Sequence, residues 1–216
     1  MSLGDTEVSV SNSSFVGNSA ELAGKVILIS GPQHLDISQT SISDSGEATI
    51  PVIEGTIQAT GGLPSVSVSN SVILDSHSFR VFAGFTETDL SHVSLFAAGQ
   101  VADADSVLTV QGSYLESTAL LCAGSSASGP FNYFTDFSCI TAGGGNAVGS
   151  ALDFLIQQEG IHTVARPIVE DLIDFVPVSE CSVSVDLVGA DRPSGCLLYT
   201  SPSPRDRTRS RMPSSA

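Results

Sequence analysis

The side chains able to do chemistry in this 216-residue chain are mostly acids: 23 Asp and Glu stand against 8 Lys and Arg and four His. Two carboxylates held at a fixed separation on one face can hydrolyse a glycosidic bond. Asp36, Asp44, Asp75, Asp89, Asp103 and Asp105 are spread over different positions of the repeats described below. Asp44 and Asp75 come nearest to alignment, each seven residues after the first apolar residue of its repeat, and both are expected to be solvated turn acids. A lyase acting on an anionic sugar needs a cation beside a base, and this region supplies only Lys25 and Arg80, far apart in sequence. Asp103-Ala-Asp105 offers oxygens of the kind calcium takes, though an exposed acidic turn is the simpler expectation. His34, His77, His92 and His162 fall in no Ser-His-Asp or His-x-x-x-His arrangement, and no Cys-x-x-Cys is present. No catalytic, cofactor-binding or metal-binding residue is assigned, and no cofactor is expected.

The charge is unevenly distributed. Arg205, Arg207, Arg209 and Arg211 crowd the C-terminal end, with Asp206 as its one acid. Alone, that stretch reads as a disordered basic arm for nucleic acid or an acidic surface. However, Cys196-Leu-Leu-Tyr-Thr-Ser-Pro-Ser-Pro-Arg-Asp206 and Ser210-Arg-Met-Pro-Ser-Ser-Ala216 resemble, in one frame and at the right separation, the translated constant blocks of a sequencing-library adaptor. Residues 197–216 are therefore set apart from the fold as adaptor-derived and disordered, with Cys196 ambiguous at the junction. The remaining chain has four cations, Lys25, Arg80, Arg166 and Arg192, against 22 acids, a net charge of −18. Such a surface repels phosphate backbones and anionic lipid, which excludes nucleic acid as a partner. No apolar run reaches membrane-spanning length, so no transmembrane segment is expected. No secretory signal follows Met1, and both ends are expected to be those of a fragment.

The elements that must position these residues emerge as internal repeats. Val10-Ser-Asn-Ser-Ser-Phe15, Ile37-Ser-Gln-Thr-Ser-Ile42, Val68-Ser-Asn-Ser-Val-Ile73, Leu90-Ser-His-Val-Ser-Leu95 and Val110-Gln-Gly-Ser-Tyr-Leu115 share one pattern and start 27, 31, 22 and 20 residues apart. Second strand candidates lie between them at residues 25–30, 52–58, 79–85 and 119–122, bounded by Gly, Asn, Asp and Ser turns. A single strand pair cannot bury its apolar side. Stacked coils bury a continuous column of Val, Ile, Leu and Phe, so the expected fold is all-β, a right-handed parallel β-helix. A sandwich would need tight hairpins, and Asn-Gly and Asp-Gly pairs are absent.

The third repeat position carries Asn12, Gln39, Asn70, His92 and Gly112. It is expected at a turn between sheets, where Asn tolerates a left-handed backbone and like side chains can stack as a structural ladder. His92 is then a ladder variant, not a base.

Asn12-Ser-Ser-Phe-Val-Gly-Asn-Ser-Ala20 is similar to motifs of bacterial surface β-helix proteins, including polymorphic outer-membrane and pectin-lyase-fold families. Phe131-Asn-Tyr-Phe-Thr-Asp-Phe-Ser-Cys139, Ala151-Leu-Asp-Phe-Leu155, Asp171-Leu-Ile-Asp-Phe-Val-Pro177, Cys181 and Asp186-Leu-Val-Gly-Ala-Asp-Arg-Pro-Ser-Gly-Cys196 resemble the C-terminal region of choice-of-anchor Q, CSLREA-type secreted proteins. The chain departs from that pattern at Leu187-Val188, where the family usually has Gln-Arg, and at Glu170-Asp171, in place of a Gly-Ser-Pro stretch. The resemblance covers about residues 8–196. It implies a secreted or surface-displayed bacterial β-helix with no established catalytic residues.

Cysteine spacing agrees with an oxidising compartment. Cys122 with Cys139 and Cys181 with Cys196 are the pairs close in sequence, although four cysteines allow three pairings. Residues 1–125 are expected to form the coils and 126–195 an irregular cap of the same domain; residues 151–159 alone could form a helix turn or two, whereas the resemblance implies a strand followed by a turn at Gly160. Arg192 is expected to pair with Asp186 or Asp191. The functional expectation is a non-catalytic extracellular or cell-surface protein for adhesion, display or binding of a polysaccharide or cell-surface glycan. A polysaccharide lyase or glycoside hydrolase on the same fold is the alternative.

Overall fold

The computed structural model describes residues 6–18, 26–31, 33–43, 55–75, 80–122, 127–139, 144–167, 176–177, 179, 181 and 183–189. Lys25, Asp44, His77, Arg192, Cys196 and residues 197–216 lie outside them.

The described chain is all-β apart from one short 3-10 turn at Phe137–Cys139. With strands numbered in chain order, a first sheet runs β1 (Thr6–Ser11), β4 (Gln33–Ser38), β7 (Ser65–Ser69), β10 (Glu87–Ser91), β12 (Val107–Gln111) and β14 (Ala127–Ser128). A second runs β2 (Ser14–Val16), β5 (Ser41–Ser43), β8 (Val72–Asp75), β11 (Ser94–Ala97), β13 (Tyr114–Ser117), β15 (Tyr133–Phe134) and β16 (Ala147–Val148). A third holds β3 (Ile27–Ser30), β6 (Gly55–Thr60) and β9 (Arg80–Ala83), and backbone bonds from Val81 and Phe82 to Gln100 and Val101 carry its pairing onward. Pairing in all three is parallel, and the chain visits first, second and third sheet in turn before repeating. This arrangement is compatible with a parallel β-helix. Among the described residues no helix is long and apolar enough to cross a membrane.

The register follows from the period-two alternation of the strands. In the first sheet Val8, Leu35, Val66, Thr88, Leu108 and Ala127 align across successive strands, as do Val10, Ile37, Val68, Leu90 and Val110. In the second, Phe15, Ile42, Ile73, Leu95, Leu115, Phe134 and Val148 align. These columns meet in one core with Ile57, Val81 and Phe82 of the third sheet. β-Branched side chains suit such stacking because their restricted χ1 fits the pleated surface.

Only two residues separate a first-sheet strand from the following second-sheet strand. From β1 to β12 the first of them is left-handed, at Asn12 (φ 48°), Gln39 (46°), Asn70 (47°), His92 (55°) and Gly112 (56°), and in the four-residue link from β14 to β15 the left-handed residue before Asn132 is Phe131 (58°). Their N–H groups bond up the stack, Asn12 to Ser38 O, Gln39 to Ser69 O, Asn70 to Ser91 O and His92 to Gln111 O. A Cβ at Gly112 would stand 2.8 Å from the His92 ring, so the large side chain lies over an unsubstituted rung.

The second corner residue points inward and forms a polar ladder. The hydroxyls of Ser13, Thr40, Ser71 and Ser113 each donate to the carbonyl two residues back, at 2.7–2.9 Å. Ser71 Oγ also accepts from Thr40 N, Ser113 Oγ from Val93 N, Asn132 Oδ1 from Ser113 N and Asn146 Oδ1 from Asn132 N. Buried backbone donors that would otherwise cost free energy are thereby satisfied. Val93 interrupts the ladder: it has no hydroxyl to offer the N–H of Ser71.

The region past residue 125 divides into two parts. Strands β14 to β16 prolong the first and second sheets, so the coils continue beyond the expected boundary at 125. Then β17 (Phe154–Glu159) and β18 (His162–Pro167) form an antiparallel hairpin turning at Gly160 (φ 60°) and Ile161. The hairpin lies beside β5 and β8, against the outside of the second sheet rather than across the end of the stack. The physical reason is in the outward positions of that sheet, which carry Val72, Leu74, Phe96 and Tyr114 where a solvated face would be polar. Val72 packs with Val164, Ala165 and Leu187, and Leu74, Phe96 and Phe154 join the cluster. Phe96, Tyr114, Tyr133 and Phe154 form a chain of ring contacts with centroids 4.6–5.6 Å apart. Polar bonds fix the docking: His162 Nε2 to Asn12 Oδ1 (3.1 Å), Thr163 N to Ser41 Oγ (3.1 Å) and Asn70 Nδ2 to Val185 O (3.1 Å).

Candidate functional site

Each first-sheet strand that turns alternate residues into the core turns the others outward, and no described element packs over them. Three outward rows result from the parallel register. One holds Glu7, His34, Ser65, Glu87 and Val107; the next Ser9, Asp36, Ser67, Asp89, Thr109 and Ser128; the third Ser11, Ser38, Ser69, Ser91 and Gln111. All are exposed or half-exposed. Neighbouring strands stand about 4.8 Å apart, so each row is a regular file of hydroxyls interrupted by carboxylates. His34 Nδ1 lies 2.8 Å from Ser65 Oγ, a hydrogen bond between rungs of this face.

Hydroxyls and carboxylates at fixed spacing on a flat surface can exchange hydrogen bonds with the hydroxyls of a sugar polymer laid along the stack. Asp36 and Asp89 share one row with Ser67 between them.

The other acids do other work. Asp103 Oδ1 is 2.8 Å from Arg80 Nη1, and its Oδ2 accepts from the N–H of Gly84. Both carboxylate oxygens thus hold the β9 strand end and a loop, a structural task in place of the calcium role weighed for Asp103-Ala-Asp105; Asp105 is exposed. Asp75 is buried, only 2% exposed, and is not the solvated turn acid expected. The alternation that buries Ile73 also turns Asp75 inward. Its intended companion Asp44 lies outside the described residues.

Of the ladder residues, Asn12 and Asn70 bond the C-terminal segment, so their amides tie the corner to the flank. His92 sits over Gly112 at the same corner. His162 is buried beside Asn12, and loss of hydration pushes its pKa below the ordinary histidine value. Burial, and then its hydrogen bond to Glu116, push the Tyr114 phenol far above its usual range, so it stays protonated and accepts from Leu152 N at 3.1 Å. That hydroxyl anchors the start of the hairpin. Sequence reasoning passed over both tyrosine and hairpin contacts.

Cys122 and Cys139 form a disulfide with Cα atoms 4.9 Å apart, joining successive coils. Cys181 is also disulfide-bonded. Asp186, proposed as a partner of Arg192, accepts from Val188 N through its carboxylate at 3.0 Å. Among the described residues no group of three or more His, Cys, Asp or Glu is arranged to hold a metal ion.

No family model matches the chain, and neither the curated proteins nor the solved structures searched contain a match to it.

Proposed function

We propose that this chain is a right-handed parallel β-helix of a secreted or cell-surface protein, and that the outer face of its first sheet binds polysaccharide without cleaving it. The near-universal right hand of parallel β crossovers supports the handedness. The Cys122–Cys139 disulfide supports the compartment, since a reducing cytosol would not maintain it. The likeness of residues 131–196 to choice-of-anchor Q, CSLREA-type proteins supports the same setting.

The observation that carries the binding function is the uncovered face of aligned hydroxyls and carboxylates over five successive rungs. A hydrolase of this architecture would draw on the same acids. An exposed face does little to exclude water, as such a reaction requires.

The test is calorimetric titration with a panel of soluble oligosaccharides, beside a Ser38→Val/Ser69→Val/Ser91→Val variant and an assay for newly released reducing ends. Binding that weakens in the variant, with no reducing ends formed, is expected. Turnover of any polymer would replace this function with the hydrolase or lyase alternative.

A further inference from the structure

The charge of the binding face narrows what it takes. We infer that its ligand is a cationic polysaccharide, a polymer of amino sugars with free amines, lying along the stacking direction. This rests on the polysaccharide function assigned to the same face.

Four carboxylates, Glu7, Asp36, Glu87 and Asp89, project from the outward rows, and no Lys or Arg stands among the outward residues. His34 is the one side chain there able to become cationic, and it bonds Ser65. Asp36 and Asp89 are two rungs apart in one row, about 10 Å at the usual strand spacing. Ser67 between them and the Ser38, Ser69 and Ser91 row beside them leave hydroxyls to meet the polymer's own. An extended amino-sugar chain can thus pair an ammonium with each of two carboxylates while its ring hydroxyls face serines. A uronate polymer would set carboxylate against carboxylate at Asp36 and at Asp89, which costs affinity. The charge complementarity is local to the face and is reinforced by a chain carrying 23 acids to 8 bases.

The experiment compares glucosamine, N-acetylglucosamine and galacturonate hexamers on the full chain by calorimetry at about pH 5.5. The free-amine hexamer should bind tightest and weaken as salt is raised. An Asp36→Asn/Asp89→Asn variant, checked for an unchanged melting temperature, should bind it roughly fivefold less tightly, as the loss of two exposed ion pairs implies. The N-acetyl hexamer should be little affected. Equal or tighter binding of the N-acetyl or galacturonate hexamer overturns the cationic assignment and leaves polysaccharide binding standing. An unchanged free-amine affinity in the double variant removes the pairing with Asp36 and Asp89. No binding of any hexamer overturns both.

Discussion

The outer faces of the first and second sheets come from the same coils, two corner residues apart, yet they meet opposite fates. Outward positions of β7 and β10 are Ser65, Ser67, Ser69, Glu87, Asp89 and Ser91, and nothing described covers them. Outward positions of β8, β11 and β13 are Val72, Leu74, Ser94, Phe96, Tyr114 and Glu116, and the β17–β18 hairpin packs on the apolar ones among them. One fold thus carries a face left to solvent and a face for its own C-terminal segment. What separates them is side-chain chemistry at equivalent positions of a common backbone; the strands themselves are alike.

A charge placed on each face gives the largest contrast. Val72→Asp buries an unpaired carboxylate under the hairpin and should destabilise the protein by on the order of 3–5 kcal/mol. Ser69→Asp, flanked in register by Ser38 and Ser91, should stay within about 0.5 kcal/mol of the parent. Chemical denaturation of both variants checks the pair, and equal losses would mean that the hairpin does not shield the second sheet.

A smaller effect should come from acid. His162 is held below its ordinary pKa of 6.5 in the fold, so protons bind the unfolded or undocked chain more readily. Its contribution is therefore complete above about pH 6.5 and is lost as pH falls below that through the folded-state pKa. Hydrogen exchange of β18 should quicken as the pH falls below about 6.5, beyond the intrinsic pH trend, and His162→Gln should flatten the excess. Identical profiles would remove His162 from the docking.

The smallest effect sharpens the view of the corner shared by the two faces. Val93→Thr would place a hydroxyl where the inward ladder lacks one, accepting from Ser71 N–H and donating to Ser91 O. A gain of about 1 kcal/mol is expected, raising the melting temperature by roughly 2–4 °C. A loss would show that the corner cannot accommodate the hydroxyl.

Much of the stacking was legible because repetition multiplies a weak local signal. Val10, Ile37, Val68, Leu90 and Val110, the first apolar residue of each repeat, are register partners across five strands. The inward ladder lies one position after the varied side chains of Asn12, Gln39, Asn70 and His92, and in sequence the hydroxyls of Ser13, Thr40, Ser71 and Ser113 look like those of any turn. Their signal was present, since Val93 was the exception in an otherwise polar column. The hairpin's docking was harder to read, because residues 154–167 show no local mark of where they pack. The clue lay elsewhere, in Val72-Ile-Leu74 and Leu95-Phe96, which break the polar-out alternation that the first sheet keeps. The uncovered face left a mark that Asp44 and Asp75 obscured: Asp36 and Asp89 each stand immediately before the first apolar residue of a repeat, Ile37 and Leu90, and so share one row in register.

The bond from His162 to Asn12 and that from Thr163 to Ser41 span 150 and 122 residues of chain. A stack of coils alone behaves as a row of dominoes, each unit answering only to its neighbours, free to fray from either end. A late hairpin clasped to the earliest coils turns the row into a loop with no independent first unit. The first coils can then loosen only when the C-terminal segment lets go of them. The cost is kinetic: these long-range closures must wait until both segments have been made and brought together.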